Sequence, residues 1–205
     1  MMKSLIKYFL IILFVSSCHQ EHRMNNQFLE QISDFNNAIV KHFPSELKGM
    51  YKIAIFNDTQ NDVSFIMLLN QYDKQTYNRL KDSLIKQSKV KYNPKDSCLL
   101  VVNMYSNEKN YFNSFKTKDK SYLKKECLKD KLPIPNFWAM GFDSKNITKL
   151  PDDYNIYVFE ASHDIIDEKY LSKNVYMPDY WKHGYSRGIA MNDNTHEIIY
   201  WFVLW

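Results

Sequence analysis

Cysteine is scarce in this chain: three residues in 205, at positions 18, 98 and 127. So few, so widely scattered, exclude a zinc site of the Cys-x-x-Cys kind, whose ligands come in close pairs. Long apolar runs are missing as well. A bilayer-spanning helix needs about 20 apolar residues, and the longest defensible stretch, residues 5–17, contains Lys7 and is thirteen residues long. Charge of one sign is not concentrated either. The balance of 27 Lys and Arg against 23 Asp and Glu gives +4, and +2 once Lys3 and Lys7 are set aside, too near neutral to argue for a nucleic-acid partner. No internal repeat, low-complexity linker or change of composition marks a second domain after residue 26. Glycine (four residues) and arginine (three, against 24 lysines) are also rare; this is the codon bias of an AT-rich genome and carries no functional reading.

What is present begins at the N-terminus. Lys3 and Lys7 form a positive region, residues 8–15 are unbroken apolar sequence, and the small Ser16 and Ser17 precede Cys18. This order has the logic of a secretory signal. Val15-Ser16-Ser17-Cys18 resembles the lipobox of bacterial lipoprotein signal peptides. The resemblance implies that residues 1–17 are removed and that Cys18 becomes the lipidated first residue of the mature chain. Two or three acyl chains, each buried methylene contributing ~0.8 kcal/mol, would hold a domain durably at a membrane. His19 stands where Asp would resemble an inner-membrane retention signal, which favours the outer membrane. The polar segment 19–26 spans at most ~26–29 Å when extended, so the domain works close to the bilayer.

One α+β domain is expected over residues 27–205, with a mainly antiparallel sheet of five or six strands and about three helices. Phe28, Ile32, Phe35, Ile39 and Phe43 recur at helical spacing, and Pro44 closes that face. Residues 50–56 and 63–69 are rich in strand formers and flank turn chemistry, which reads as a hairpin. Asp73 caps a second helix with Tyr77, Leu80, Leu84 and Ile85 on one face. Residues 97–105, with CLLVV within, read as a strand buried on both faces and central in the sheet. Residues 118–131 read as a lysine-rich helix burying Leu123, Cys127 and Leu128. Residues 154–160 form a further strand, and 188–191 with 198–204 a closing hairpin that places the C-terminus in the core. An oxidising envelope permits a Cys98–Cys127 disulfide, but the apolar run around Cys98 favours a buried free thiol.

Several motifs could carry chemistry. Gly184-Tyr185-Ser186-Arg187-Gly188 matches the G-x-S-x-G nucleophile elbow of α/β-hydrolases, with Asp193 and His196 following. That elbow needs a strand before the serine and a helix after it. Here PDYWKH precedes Ser186, a hairpin follows, and 17 residues remain after Gly188. The glycines are expected to shape the approach to a strand. A hydrolase would have to assemble around His163, His183, Ser186 and His196. Glu160-Ala161-Ser162-His163 is a single E-x-x-H beside Asp164, Asp167 and Glu168, whereas di-iron bundles need two on core helices; a solvated acidic loop is expected, with no metal and no cofactor. Seven lysines between 116 and 131, a local +4, read as a solvated face or, given the short tether, a contact for anionic headgroups.

The aromatic cluster Tyr176, Tyr180, Trp181 and Tyr185, with Lys182, His183 and Arg187 interleaved, is the expected binding surface, since these residue types dominate hot spots. WKHGYSRGIA followed by IIYW also resembles the C-terminal part of uncharacterised bacterial envelope lipoproteins, a likeness that implies no activity. The sequence therefore points to a lipid-anchored envelope protein, outer membrane favoured, without catalysis, that binds another envelope protein, a glycan or a secreted toxin.

Overall fold

The computed structural model describes residues 26, 28–30, 32–33, 37–56, 64–102, 123–163 and 177–205. The signal sequence, Cys18, the tether and Tyr176 lie outside these residues, as do Lys116, Lys118 and Lys120. The chain divides into two compact units, Met1–Leu47 and Lys48–Trp205; the expected domain of 27–205 spans the end of the first and all of the second. In the first unit, residues 28–30 and 32–33 are helical and α1 covers Asn37–Val40. Phe28 and Phe43 are buried, their ring centroids 6.3 Å apart. Of the expected helical face, Phe28, Ile32 and Ile39 lie in helical segments, Phe35 lies outside the described residues, and Phe43 follows the last helical residue, Val40, ahead of Pro44.

The second unit is α+β, built on a six-stranded antiparallel sheet. Its strands are β1 (Tyr51–Phe56), β2 (Ser64–Gln71), β3 (Val90–Tyr92), β6 (Tyr154–Ser162), β7 (Tyr185–Asn192) and β8 (Glu197–Leu204), in the spatial order β1-β2-β8-β7-β6-β3. Helix α2 (Lys74–Ile85) follows β2. Asp73 caps it by accepting from the Thr76 amide at 2.9 Å, and Tyr77 and Leu84 are its buried residues. The last strand, β8, pairs with β2 on one side and β7 on the other. The C-terminus thus lies inside the fold, as its apolar composition requires.

Side chains alternate between the two faces of a strand. One face carries Phe65 and Met67 from β2, Ala190 from β7, and Ile199, Trp201 and Val203 from β8, all within one buried cluster. This tryptophan face is covered by an irregular layer of short elements: β4 (Val101–Val102), β5 (Ile134–Pro135) and 3-10 turns at Glu126–Leu128, Phe137–Met140 and Asp179–Trp181. The opposite face bears Ile66, Leu68, Ile189, Ile198, Tyr200 and Phe202, also buried.

Three expectations are corrected. The CLLVV run is not a central strand: β4 is two residues long and pairs in parallel with β5 in a separate two-stranded sheet. Leu99, Leu100 and Val102 are fully buried because they lie over the main sheet, and an all-apolar run reads the same in either place. The described part of the lysine segment forms no α-helix; Leu128 and Lys129 donate to carbonyls three residues back. Cys98 is not a free core thiol but is disulfide-bonded to Cys127, with Cα atoms 6.1 Å apart. The bond crosses a sequence separation of 29 residues, which by loop-closure entropy is worth ~3–4 kcal/mol. Replacing both cysteines with serine is expected to lower unfolding free energy by about 3 kcal/mol in a denaturant titration; unchanged stability would contradict the bridge.

Candidate functional site

The G-x-S-x-G residues fall within and just before β7, and their spacing of two is the period of a strand. Gly184, Ser186 and Gly188 all present the tryptophan face. A β-carbon at Gly184 would lie 2.8 Å from the Ser162 carbonyl oxygen and 3.0 Å from the Trp205 ring. At Gly188 it would strike the Tyr157 carbonyl oxygen and lie 2.7 Å from the Trp201 ring. The glycines are therefore seats for indoles. The backbones of Gly184 and Trp205 also exchange two hydrogen bonds of 2.9 Å, and Trp205 Nε1 donates to the Trp181 carbonyl at 2.7 Å.

Ser186 is fully buried, and its hydroxyl donates to the Pro133 carbonyl at 2.6 Å. No helix follows it, and no histidine is its hydrogen-bond partner among the described residues. His196 sits in the β7–β8 turn with φ 56°, beyond Asn192, six residues up the strand and so about 20 Å from Ser186. His163 is exposed, its ring edge-on to Trp181 at 5.4 Å. His183 is almost fully buried, and its Nδ1 has no hydrogen-bond partner. The four residues proposed for a hydrolase are not brought together.

The fold does assemble a different group. Arg187, on the face opposite the tryptophans, donates to Glu160 Oε2 from Nε at 3.0 Å and Nη2 at 2.7 Å. The Tyr185 hydroxyl donates to Glu160 Oε1 at 2.8 Å. A β-bulge creates this meeting: Val158 pairs with Gly188, but after one extra residue Glu160 pairs with Arg187. Without it, Glu160 would lie opposite Ser186 and aim at the tryptophans. Burial pushes the Glu160 carboxyl up, but the hydrogen bonds from Arg187 and Tyr185 and the Arg187 charge outweigh it, leaving it below the usual value of 4.5. Burial, with Glu160 alongside, pushes the Tyr185 phenol up to about 12.

A second polar group closes the other end of β7. Asp193 accepts from the Tyr77 hydroxyl at 2.6 Å and from Lys81 at 2.7 Å, and Glu197 accepts from Tyr154 and from Thr195. Each carboxylate is held by local donors, so these are pins for the turn. No cluster of three or more His, Cys, Asp or Glu among the described residues could hold a metal. In the E-x-x-H, an odd spacing on a strand separates the two groups: Glu160 meets Arg187 while His163 lies against Trp181. Asp164, Asp167 and Glu168 lie outside the described residues.

The expected aromatic binding surface divides. Trp181, Tyr185 and Arg187 are each less than a tenth exposed, while Tyr180 is 47% exposed. Trp181 is a core residue, its ring 5.9 Å from Trp205; its segment lacks periodicity because a 3-10 turn carries it over the sheet. The Glu160–Arg187 pairing was missed because it joins one residue at the end of a strand to another 27 positions on. The sequence signal was the i, i+2 spacing of Tyr185 and Arg187 on one strand face. No known protein family, curated protein or solved structure matches the chain.

Gly188→Ala is expected to lower unfolding free energy by about 3 kcal/mol, since over-packing against backbone and an immobile indole cannot relax; a loss below about 1 kcal/mol would mean that the seat is loose. Glu160→Gln leaves the Arg187 cation buried without its counter-charge and should cost about 3 kcal/mol. Arg187→Met should cost less, because the half-exposed Glu160 can turn to water. Since the folded Glu160 value is depressed, its contribution is complete above 4.5 and is lost as pH falls through the folded value. Denaturant titrations from neutral pH downward should show this acid loss in the wild type and not in Glu160→Gln.

Proposed function

We infer that this chain is a lipid-anchored protein of the bacterial cell envelope whose α+β unit is a non-catalytic binding or scaffolding module. The observation that carries the reading is the Cys98–Cys127 disulfide. Disulfides persist in oxidising compartments outside the cytoplasm, which supports the export implied by the lipobox-like N-terminus. The bond also uses both cysteines other than Cys18, in keeping with a Cys18 thiol reserved for acylation. No helix of the described residues is long and apolar enough to cross a membrane; the anchor in this reading is the acylated Cys18.

The burial of Ser186 supports a binding module over a hydrolase. Its hydroxyl supports the layer over the sheet instead of facing a substrate. The surface left for a partner is Tyr180, beside Lys129, Asp130 and Glu126, whose charges act on its phenol. Lys124, Lys125 and Lys129 on the same stretch are exposed. An aromatic ring flanked by lysines fits an envelope protein, a glycan or a secreted toxin, and the same lysines fit anionic headgroups at the end of a short tether.

Cys18→Ser tests the anchor directly. Metabolic labelling with a clickable fatty acid should mark the wild type and not the variant, and the variant should leave the membrane fraction or remain an unprocessed precursor. Label retained in Cys18→Ser, or none in the wild type, would overturn the reading.

A further inference from the structure

Among the described residues the sheet ends at β1, and its outer hydrogen-bonding edge pairs with none of them. The Gln71 amide donates to the Met50 carbonyl at 2.9 Å, and the register runs without interruption from Tyr51 opposite Asn70 to Phe56 opposite Phe65. In an antiparallel ladder, backbone groups of alternate residues point toward and away from the partner. Lys52, Ala54 and Phe56 therefore direct theirs to β2, and Tyr51, Ile53 and Ile55 direct theirs outward. These three residues have no further strand or loop hydrogen-bonded to them among the described residues. β1 has no proline and no bulge, two of the devices that blunt an edge, and carries a single charge. Its one charge, Lys52, is drawn to the tryptophan face by donating to the Met140 carbonyl at 2.8 Å. The side chains of Tyr51, Ile53 and Ile55 are each only partly covered, and the adjoining Met50 is 71% exposed.

We propose that β1 pairs with β1 of a second copy of this chain, antiparallel about Ile53, joining two six-stranded sheets into one of twelve strands. The strand is self-complementary in that register. The outward-facing residues meet each other, Ile53 opposite Ile53 and Tyr51 opposite Ile55 of the second copy, forming three hydrogen-bonded pairs. These are β-branched and aromatic pairings, the favourable cross-strand kind. Lys52 falls opposite Ala54 of the second copy, so no like charges stand directly opposite each other, and the two Lys52 residues are diagonal neighbours whose amines are drawn away toward the Met140 carbonyls. A two-fold contact of this kind closes on itself and leaves no edge at that side.

Disulfide trapping on the purified full chain in detergent tests both the contact and its register. In a hydrogen-bonded antiparallel pair, Cα atoms lie ~5.5 Å apart, within disulfide reach. Under mild oxidation Ile53→Cys should form a covalent dimer on a non-reducing gel that the wild type does not form. Ile55→Cys alone should remain monomeric, because its own copy is four residues off register, whereas a mixture of Tyr51→Cys and Ile55→Cys chains should cross-link. Failure of Ile53→Cys to link, or equal linking by Ile55→Cys alone, would overturn the proposal. Ile53→Pro removes an outward-facing donor and leaves the β2 ladder intact, as proline on an edge does. It should sediment as a monomer where the wild type sediments as a dimer; a folded Ile53→Pro dimer would also overturn the proposal. If that variant fails to fold, the cysteine pattern decides alone.

Discussion

A floor of small residues on one side of β7 is the constraint on which the rest of the second unit depends. Gly184, Ser186, Gly188 and Ala190 follow each other at strand period and leave a shallow bed on the tryptophan face. Trp201 from the neighbouring strand and Trp205 beyond its end lie across that bed, and Trp181 closes over Trp205. Indoles of this size fit between a sheet and its covering layer only where the backbone beneath carries almost no side chain. The floor also gives Trp205 its seat. Its backbone continues the ladder with Gly184, and its ring fills the corner left by the missing β-carbon.

The bulge in β6 solves a related problem on the strand that neighbours β7. A one-residue shift of register sends every later side chain to the other face. Beyond Val158 that shift moves Glu160 away from the tryptophans and toward Arg187 and Tyr185. A carboxylate facing the apolar cluster would have no counter-charge and would carry a large desolvation cost. With the bulge, Glu160 accepts from both Arg187 and Tyr185 on the opposite face. Burying the Arg187 side of this ion pair offsets much of the attraction between the charges, so the pair does more to fix register than to add stability.

Alternation and turn chemistry made much of this legible from sequence. The β1–β2 hairpin, the Asp73 cap, the β7–β8 hairpin and the buried C-terminus all rest on local patterns that tertiary structure had no reason to override. The failures share a different cause. CLLVV, the lysine segment and PDYWKH belong to the irregular layer, where burial comes from lying over the sheet and not from periodic structure. An apolar run there has the composition of a central strand, and an aperiodic aromatic segment has the look of a binding loop. The Glu160–Arg187–Tyr185 group was invisible for the opposite reason. Its members were each noticed, but only the sheet topology and a bulge bring them to one face.

The irregular layer needs support that ordinary secondary structure would have supplied. Buried backbone amides and carbonyls must find partners, and short strands and 3-10 turns leave many without one. The sheet provides them through side chains from four strands or their ends. Lys52 of β1 donates to the Met140 carbonyl, Ser186 of β7 to the Pro133 carbonyl and Trp205 beyond β8 to the Trp181 carbonyl, while the Tyr92 hydroxyl of β3 accepts from the Leu132 amide. The disulfide then ties Cys98 at the start of the layer to Cys127 within it. These bonds are spread across the width of the sheet, so the layer cannot slide without breaking several at once. Ser186 belongs to that set: its hydroxyl holds the layer in place, a role that requires the burial a nucleophile could not tolerate.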